Sequence, residues 1–159
     1  MRVGIGYDIH PFDDARTLVL GGVRFEGERG LAGHSDADVL VHAVIDALLG
    51  AAGLGDIGTH FPAGDAKWKD ADSIGLLEVT AGMLRERWFA VESVDSTVIA
   101  EAPRLAPHVR AMRERIAAAL GVEAGRVNVK ATTHEGLGPI GRGEGIAAMA
   151  VALLGEELS

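Results

Sequence analysis

Asp8-Ile9-His10 lies in a stretch, Met1 to His10, that alternates as a strand, so a carboxylate and an imidazole two residues apart project from one face. His42 stands among Val39, Leu40, Val41, Val44, Ile45, Leu48 and Leu49, where an unpartnered imidazole would be costly. Two histidines and one carboxylate, with no fourth protein ligand evident, form the open pattern of a catalytic zinc ion. Asp38 and Asp46, four residues either side of His42, are candidates to accept a hydrogen bond from its far ring nitrogen and fix its tautomer.

Other groups suit a phosphate. Gly33-His34-Ser35-Asp36-Ala37-Asp38 puts His34 and Ser35 at the start of the same helix, where free N–H groups and the helix dipole attract an anion. In the loop Gly53-Leu54-Gly55-Asp56-Ile57-Gly58, the single carboxylate could meet a substrate hydroxyl. Lys130-Ala131-Thr132-Thr133-His134-Glu135 ends a strand with two hydroxyls for phosphate oxygens and a Glu able to hold Mg²⁺ between two phosphates. Singly, each has an ordinary reading: a surface Asp-x-His beside a satisfied core histidine, an N-cap, an Asx turn, a polar strand end. Their joint presence is the stronger signal.

Composition narrows the field. The 159 residues suit one domain with a core that needs no disulfides, and the absence of cysteine leaves only His and carboxylate as zinc ligands. A net charge of −8, with no basic run and 4% aromatics, argues against a nucleic-acid partner. An anionic small substrate stays possible, because a bound metal and a few cations can invert the field within one cleft. The N-terminus has no secretory pattern, and the longest apolar stretch, Gly145 to Gly155, is too short to span a bilayer, so no membrane role and a cytoplasmic location are expected.

The elements that must position these residues are read from periodicity and punctuation. Strands are expected at Met1–His10, Thr17–Val23 (closing on the Gly21-Gly22 turn), Val91–Ala100, Val127–Thr133 and Ile146–Leu154. Helices are expected at Ala37–Gly50, capped by Ser35 or Asp36, at Ser73–Trp88, capped by Asp72 with Ile74, Leu77 and Leu84 inward, and at His108–Leu120, stopping at Gly121. Residues 55–68, 101–107 and 134–145 read as loops. The order gives an α+β fold, a mixed four-stranded sheet with helices on one face, in a single catalytic domain over residues 1–159.

Taken in order, several segments resemble the 2-C-methyl-D-erythritol 2,4-cyclodiphosphate synthases of non-mevalonate isoprenoid biosynthesis over essentially the whole chain. They are Gly6-Tyr7-Asp8-Ile9-His10, Ala32 to Asp38, His42 with Asp46 to Ala52, Gly55 to Gly58, Phe61-Pro62, Val129 to Thr133 and Gly141 to Gly145. The resemblance implies a phosphorus–oxygen lyase. In 4-diphosphocytidyl-2-C-methyl-D-erythritol 2-phosphate, the 2-phosphate attacks the β-phosphorus and CMP leaves. It implies Zn²⁺ on Asp8, His10 and His42, and a second divalent ion, Mg²⁺ or Mn²⁺, on Glu135. His34 and Thr133 correspond to the catalytic, transition-state positions. Asp8, His10, His34, Ser35, Asp56, Ile57, Gly58, Phe61 and Asp65 correspond to contacts on the methylerythritol phosphate side. Ala100, Pro103, Arg104, Leu105 and Ala106 match the cytidine pocket, and Thr132, Thr133, Glu135 and Arg142 match further substrate contacts. It also implies a homotrimer whose sheets face the axis and whose active sites lie between subunits.

The chain departs from the family pattern at His134 and Gly136, where Thr and Lys are usual, at Ala63 in place of an Asp, and at Pro139 in place of an aromatic beside Arg142, where the axial channel of related enzymes binds an isoprenoid diphosphate. Two competing readings remain: a zinc hydrolase in which metal-bound water attacks a phosphate ester, and a trimeric nucleotide-binding module with structural zinc. The latter wants a fourth protein ligand, and three good candidates are found.

Overall fold

The computed structural model describes residues 1–157, so residues 158–159 of the expected catalytic span lie outside the described residues. The first strand, β1, runs from Arg2 to Leu20. In its first half Gly4, Gly6, Asp8 and His10 turn inward, while Val3, Ile5, Tyr7 and Ile9 face outward and stay exposed. Sequence placed two separate strands here. The backbone instead continues through Pro11, changing partner from β5 (Gly145–Glu156) to β2 (Val23–Leu31), with register shifts between Asp13 and Leu18. Leu20 pairs with Val23, so Gly21 and Gly22 close a two-residue hairpin at φ 58° and 74°, a conformation glycine adopts without strain. β2 was not anticipated. Only Phe25, Gly30 and Leu31 of it are buried, so it carries little apolar alternation.

With β3 (Phe89–Ile99) and β4 (Val127–Thr132), the sheet has five strands, where four were expected, in the order β2-β1-β5-β3-β4. β3 and β4 run parallel and the other pairs antiparallel, which makes the sheet mixed as expected. One register row crosses four strands: Ile9 pairs with Ala147, Ala147 with Ile99, and Ile99 with Thr132. His10 and Thr132 therefore share one rim of the sheet, three strand spacings or roughly 14 Å apart.

The helix α1 (Val39–Ala52) packs on β1 and β5 and is buried on nearly every side, as its sequence foretold. A Cβ on Gly6 would stand 1.9 Å from the Ala43 carbonyl oxygen, and one on Gly4 2.0 Å from that of Ala47. Glycine thus lets the helix backbone rest directly on the strand, which brings His42 over Asp8. The cap is Asp38 and not Ser35 or Asp36: Ala37 takes a positive φ of 57°, so no helical path runs through it, and Asp38 Oδ1 accepts from Val41 N at 3.0 Å. The same carboxylate accepts from Gly21 N at 2.9 Å and Gly22 N at 2.7 Å, fastening the hairpin to the helix start. Complete burial and the neighbouring Asp36 charge push its carboxyl up to about 6, against the pull of those backbone donors.

Between α1 and α3 (Ser73–Arg85) lie a single-turn helix, α2 (Ile57–His60), and a 3₁₀ turn at Ala66–Trp68, both within the segment expected to be irregular. Asp72 caps α3 as expected, and Ile74, Leu77 and Leu84 are buried. The helix ends at Arg85, short of Trp88, which adopts φ 59°. α4 (Val109–Leu120) ends at Gly121 in the left-handed region, and a last single turn, α5 (Gly138–Gly141), interrupts the glycine-rich segment. Among the described residues no helix is long and apolar enough to cross a membrane.

Candidate active site

Asp8, His10 and His42 converge so that one ligand atom from each lies within 4.8 Å of the others. His10 Nε2 is 2.8 Å from Asp8 Oδ2, and His42 Nδ1 is 3.2 Å from the same oxygen. The far nitrogen of His10, Nδ1, donates to the Ala32 carbonyl at 2.7 Å, so Nε2 is the nitrogen turned to Asp8; it donates to the carboxylate here and is the one that would give up its proton to hold a metal. Gly33 allows this: a Cβ there would stand 3.2 Å from His10 Cε1. His42 Nε2 lies 2.9 Å from Ser73 Oγ and 3.1 Å from Ser35 Oγ. Asp38 and Asp46, the partners expected from sequence, are both engaged elsewhere. Asp38 curls back as the helix cap, and Asp46 Oδ1 accepts from Ile57 N at 3.0 Å, anchoring α2.

The electrostatics match a cation site. Burial opposes ionisation of Asp8, but hydrogen bonds from His10 and His42 outweigh it and hold the carboxyl down to about 2. Burial likewise works against a charged His10, yet its hydrogen bond to Asp8 more than offsets this and raises its pKa. A carboxylate that keeps its charge between two imidazoles, each with its far nitrogen held by protein, is the donor set a divalent cation requires.

This cluster opens on a cavity of about 240 Å³ lined by Asp8, His10, His34, Ser35, His42, Ile57, Gly58 and Phe61, all expected from sequence, with Ala63, Trp68 and Leu76. The last three add an apolar wall that sequence did not assign, because only packing places them here. Trp68 meets Phe61 edge-on at 5.0 Å between centroids. His34 Nε2 donates to the Asp65 carbonyl at 3.1 Å, tying the helix entry to the loop across the mouth. The Asp65 side chain faces its own turn, accepting from Lys67 N at 2.9 Å. Asp56 is exposed and caps α2; bonds from the Thr59 hydroxyl and N–H hold its carboxyl below the usual range. Arg16, which sequence passed over, donates to the carbonyls of Gly33, at 2.5 Å, and of Ser35, clamping the chain on both sides of His34.

Farther along the same rim a second cleft, about 290 Å³, is lined by Ala100, Glu101, Pro103, Arg104, Leu105, Ala106, Ala131, Thr132 and Thr133. It unites the expected nucleotide segment with the expected Thr-Thr pair, and Ala100 N bonds the Thr132 carbonyl at 3.0 Å. Glu101 was not anticipated; its carboxylate accepts from His134 N at 2.7 Å and shapes the turn after Thr133. Glu135 sits in that turn at φ 54°, its N–H bonded to Thr133 Oγ1 at 3.1 Å, and is not among the three clustered ligands. Pro139 is the second residue of α5, and Arg142 pairs with Glu144 at 2.8 Å.

Comparison with known proteins agrees with this geometry. The sequence profile of the YgbB family matches residues 1–155. The 2-C-methyl-D-erythritol 2,4-cyclodiphosphate synthase of Trichlorobacter lovleyi is 57% identical over 154 residues, covering 97% of this chain and 98% of its own. That of Desulfosudis oleivorans is 60% identical over 157 residues, covering 99% and 94%. Among solved structures, bifunctional IspDF from Campylobacter jejuni superposes with a TM-score of 0.94 at 44% identity, and this chain, covered to 99%, spans 42% of that longer one. IspF of Plasmodium falciparum, in complex with CDP, gives a TM-score of 0.86 at 33% identity, covering 99% of this chain and 97% of its own. The chain belongs to the YgbB family of 2-C-methyl-D-erythritol 2,4-cyclodiphosphate synthases.

Proposed function

We propose that this protein converts 4-diphosphocytidyl-2-C-methyl-D-erythritol 2-phosphate into 2-C-methyl-D-erythritol 2,4-cyclodiphosphate and CMP. The observation that carries the reading is the open Asp8–His10–His42 set facing a cavity that also holds His34 and Ser35, in a chain of this family. A 2-phosphate oxygen forms the new bond to the β-phosphorus, the bond from that phosphorus to the α–β bridging oxygen breaks, and CMP departs with that oxygen. The nucleophile is already an anion, so no strong protein base is required; positioning and charge neutralisation suffice. A divalent ion on the three ligands, zinc by the donor chemistry, supplies Lewis acidity toward a phosphate oxygen.

The chain's own groups divide the remaining work. Ser35 and His34, at the entry to α1, meet the methylerythritol phosphate half, with Asp56, Ile57, Gly58, Phe61 and Asp65 around it. Thr132 and Thr133 bond phosphate oxygens, and Glu135 is available for a second ion, Mg²⁺ or Mn²⁺. Ala100 to Ala106 receive the cytidine; that the ligand is a cytidine nucleotide is supported by the CDP complex of the Plasmodium falciparum relative. We read the active unit as a homotrimer with sites between subunits. The separation of the two clefts and the exposed apolar row of Val3, Ile5, Tyr7, Ile9, Met149 and Val151 support that reading. One catalytic domain acting in the cytoplasm, where a nucleotide-linked metabolite is at hand, completes it.

Purified protein supplied with Zn²⁺, Mg²⁺ and the cytidyl substrate in ¹⁸O-water should release CMP and an unlabelled cyclic diphosphate. A linear product carrying ¹⁸O would replace this reading with a zinc hydrolase.

A further inference from the structure

Ser73 stands at the first position of α3 and is fully buried, yet it is not part of the core. Its Oγ donates to Asp36 Oδ1, and its backbone N–H donates to Asp36 Oδ2 at 2.9 Å. The Asp36 carboxylate is itself held by Asp38 N at 3.1 Å, and Asp36 N by the Ala71 carbonyl at 3.1 Å. Proton counting then fixes the next link. A serine hydroxyl has one hydrogen, and here it is committed to Asp36. Ser73 Oγ can only accept from His42 Nε2, 2.9 Å away, so Nε2 must carry a proton. Nδ1, 3.2 Å from Asp8 Oδ2 and aimed into the ligand cluster, donates to that carboxylate in the metal-free protein; with Nε2–H held by Ser73, loss of the Nδ1 proton leaves a neutral imidazole whose lone pair is on Nδ1.

We propose that Ser73 and Asp36 are positioning residues: an Asp36–Ser73–His42 relay that locks His42 in the tautomer and ring orientation able to bind the metal through Nδ1. This rests on the reading of Asp8, His10 and His42 as a metal site. Ser35 does not substitute. Its hydroxyl lies farther from Nε2, at 3.1 Å, and accepts from Ala37 N at 3.4 Å with its own hydrogen uncommitted, so without Ser73 it can donate to Nε2 and the Nδ1–H tautomer, which cannot hold a metal through Nδ1, becomes accessible. The relay performs for His42 what the Ala32 carbonyl performs for His10.

Zinc affinity measured by chelator competition tests it. Ser73→Ala should bind zinc about 10- to 100-fold more weakly than wild type, the usual effect of removing such an outer partner. The secondary structure of the metal-free protein should be unchanged. Long-range ¹H–¹⁵N spectra of zinc-loaded wild type, which need no variant to fold, should show His42 protonated at Nε2 and metal-bound at Nδ1. Wild-type affinity in Ser73→Ala, or metal on His42 Nε2 in wild type, overturns the relay. Wild type that binds no zinc would instead overturn the metal site itself.

Discussion

The two clefts on the sheet rim are built in opposite ways. At the metal corner, Asp8, His10 and His42 occupy inward positions of a long strand and a buried helix, and both imidazoles have their outer nitrogens held by protein. Behind them Asp36, Asp38 and Ser73 form a polar lattice with every side-chain atom partnered, and among the described residues no buried side-chain polar atom lacks a hydrogen bond. At the second cleft, Thr132, Thr133, His134 and Glu135 are all exposed, and their bonds run to nearby backbone or to Glu101. The metal corner is organised with no ligand in place. The second cleft is a set of strand ends whose side chains make few hydrogen bonds and are exposed in the single chain. On the proposed mechanism, the metal corner is where charge changes during the reaction, and where preorganisation returns most.

This contrast predicts that substitutions at the corner change chemistry, metal binding and stability together, whereas those at the cleft change chemistry alone. The largest effect is expected for Asp8→Ala. It removes the one anionic ligand and leaves His10 and His42 facing each other without it. Turnover should fall by at least roughly 10²–10³-fold, the scale for losing a single preorganised electrostatic group. Zinc retention after dialysis should be lost. Full activity in this variant would mean that any bound metal is structural, and the corner would lose its claim to the chemistry.

Next in size is the stability effect of the lattice. Asp38→Ala removes a helix cap and leaves the Gly21 and Gly22 N–H groups unpaired, which together should cost about 3 kcal/mol in denaturant unfolding. The native carboxyl of Asp38 is raised from 3.8 to about 6, so its contribution is fully present below the unfolded value and is lost as pH rises through about 6. Asp38→Asn cannot titrate. Between pH 4 and 6.5 wild type should therefore lose stability relative to that variant, read as converging or crossing unfolding midpoints. Parallel pH profiles would show that the three backbone donors, and not burial, set the charge of Asp38.

The same difference explains what could be read from sequence. Asp8, His10 and His42 were legible because strand and helix periodicity dictate where such side chains point, Gly121 and Asp72 followed from local punctuation, and the final strand from the need for a pairing partner. Asp38 deceived for a physical reason. Its spacing to His42 is right for a helical neighbour, but a capping carboxylate turns back onto backbone donors, and those belong to a hairpin seventeen residues earlier. Ser73 and Arg16 reach the site only through tertiary contact, 31 residues from His42 and 17 from Gly33, and neither carries a local signal. β2 escaped because an exposed arm does not need the alternation that marks a strand. At the cleft, Thr132, Thr133 and Glu135 stood out by residue type at a strand end, a weak signal alone, whereas Ala100 to Ala106 were located only through family resemblance, since a loop wall has no periodicity to betray it.

The smallest expected effect is the one that most sharply separates the two regions. Thr133 is exposed, and its hydroxyl accepts one local bond, from Glu135 N at 3.1 Å. Thr133→Ala should therefore shift unfolding free energy by no more than about 0.5 kcal/mol, as for an ordinary surface change. If the hydroxyl donates to a phosphate oxygen during transfer, losing that charged hydrogen bond should slow turnover by about 10- to 100-fold, equivalent to 1.5–3 kcal/mol. Zinc affinity should stay at the wild-type value, because Thr133 touches none of the three ligands. A Thr133→Ala protein that unfolds as easily as Asp38→Ala would place the cleft in the same rigid framework as the metal corner. A variant that turns over normally would confine the chemistry to the corner and leave the strand end with binding alone.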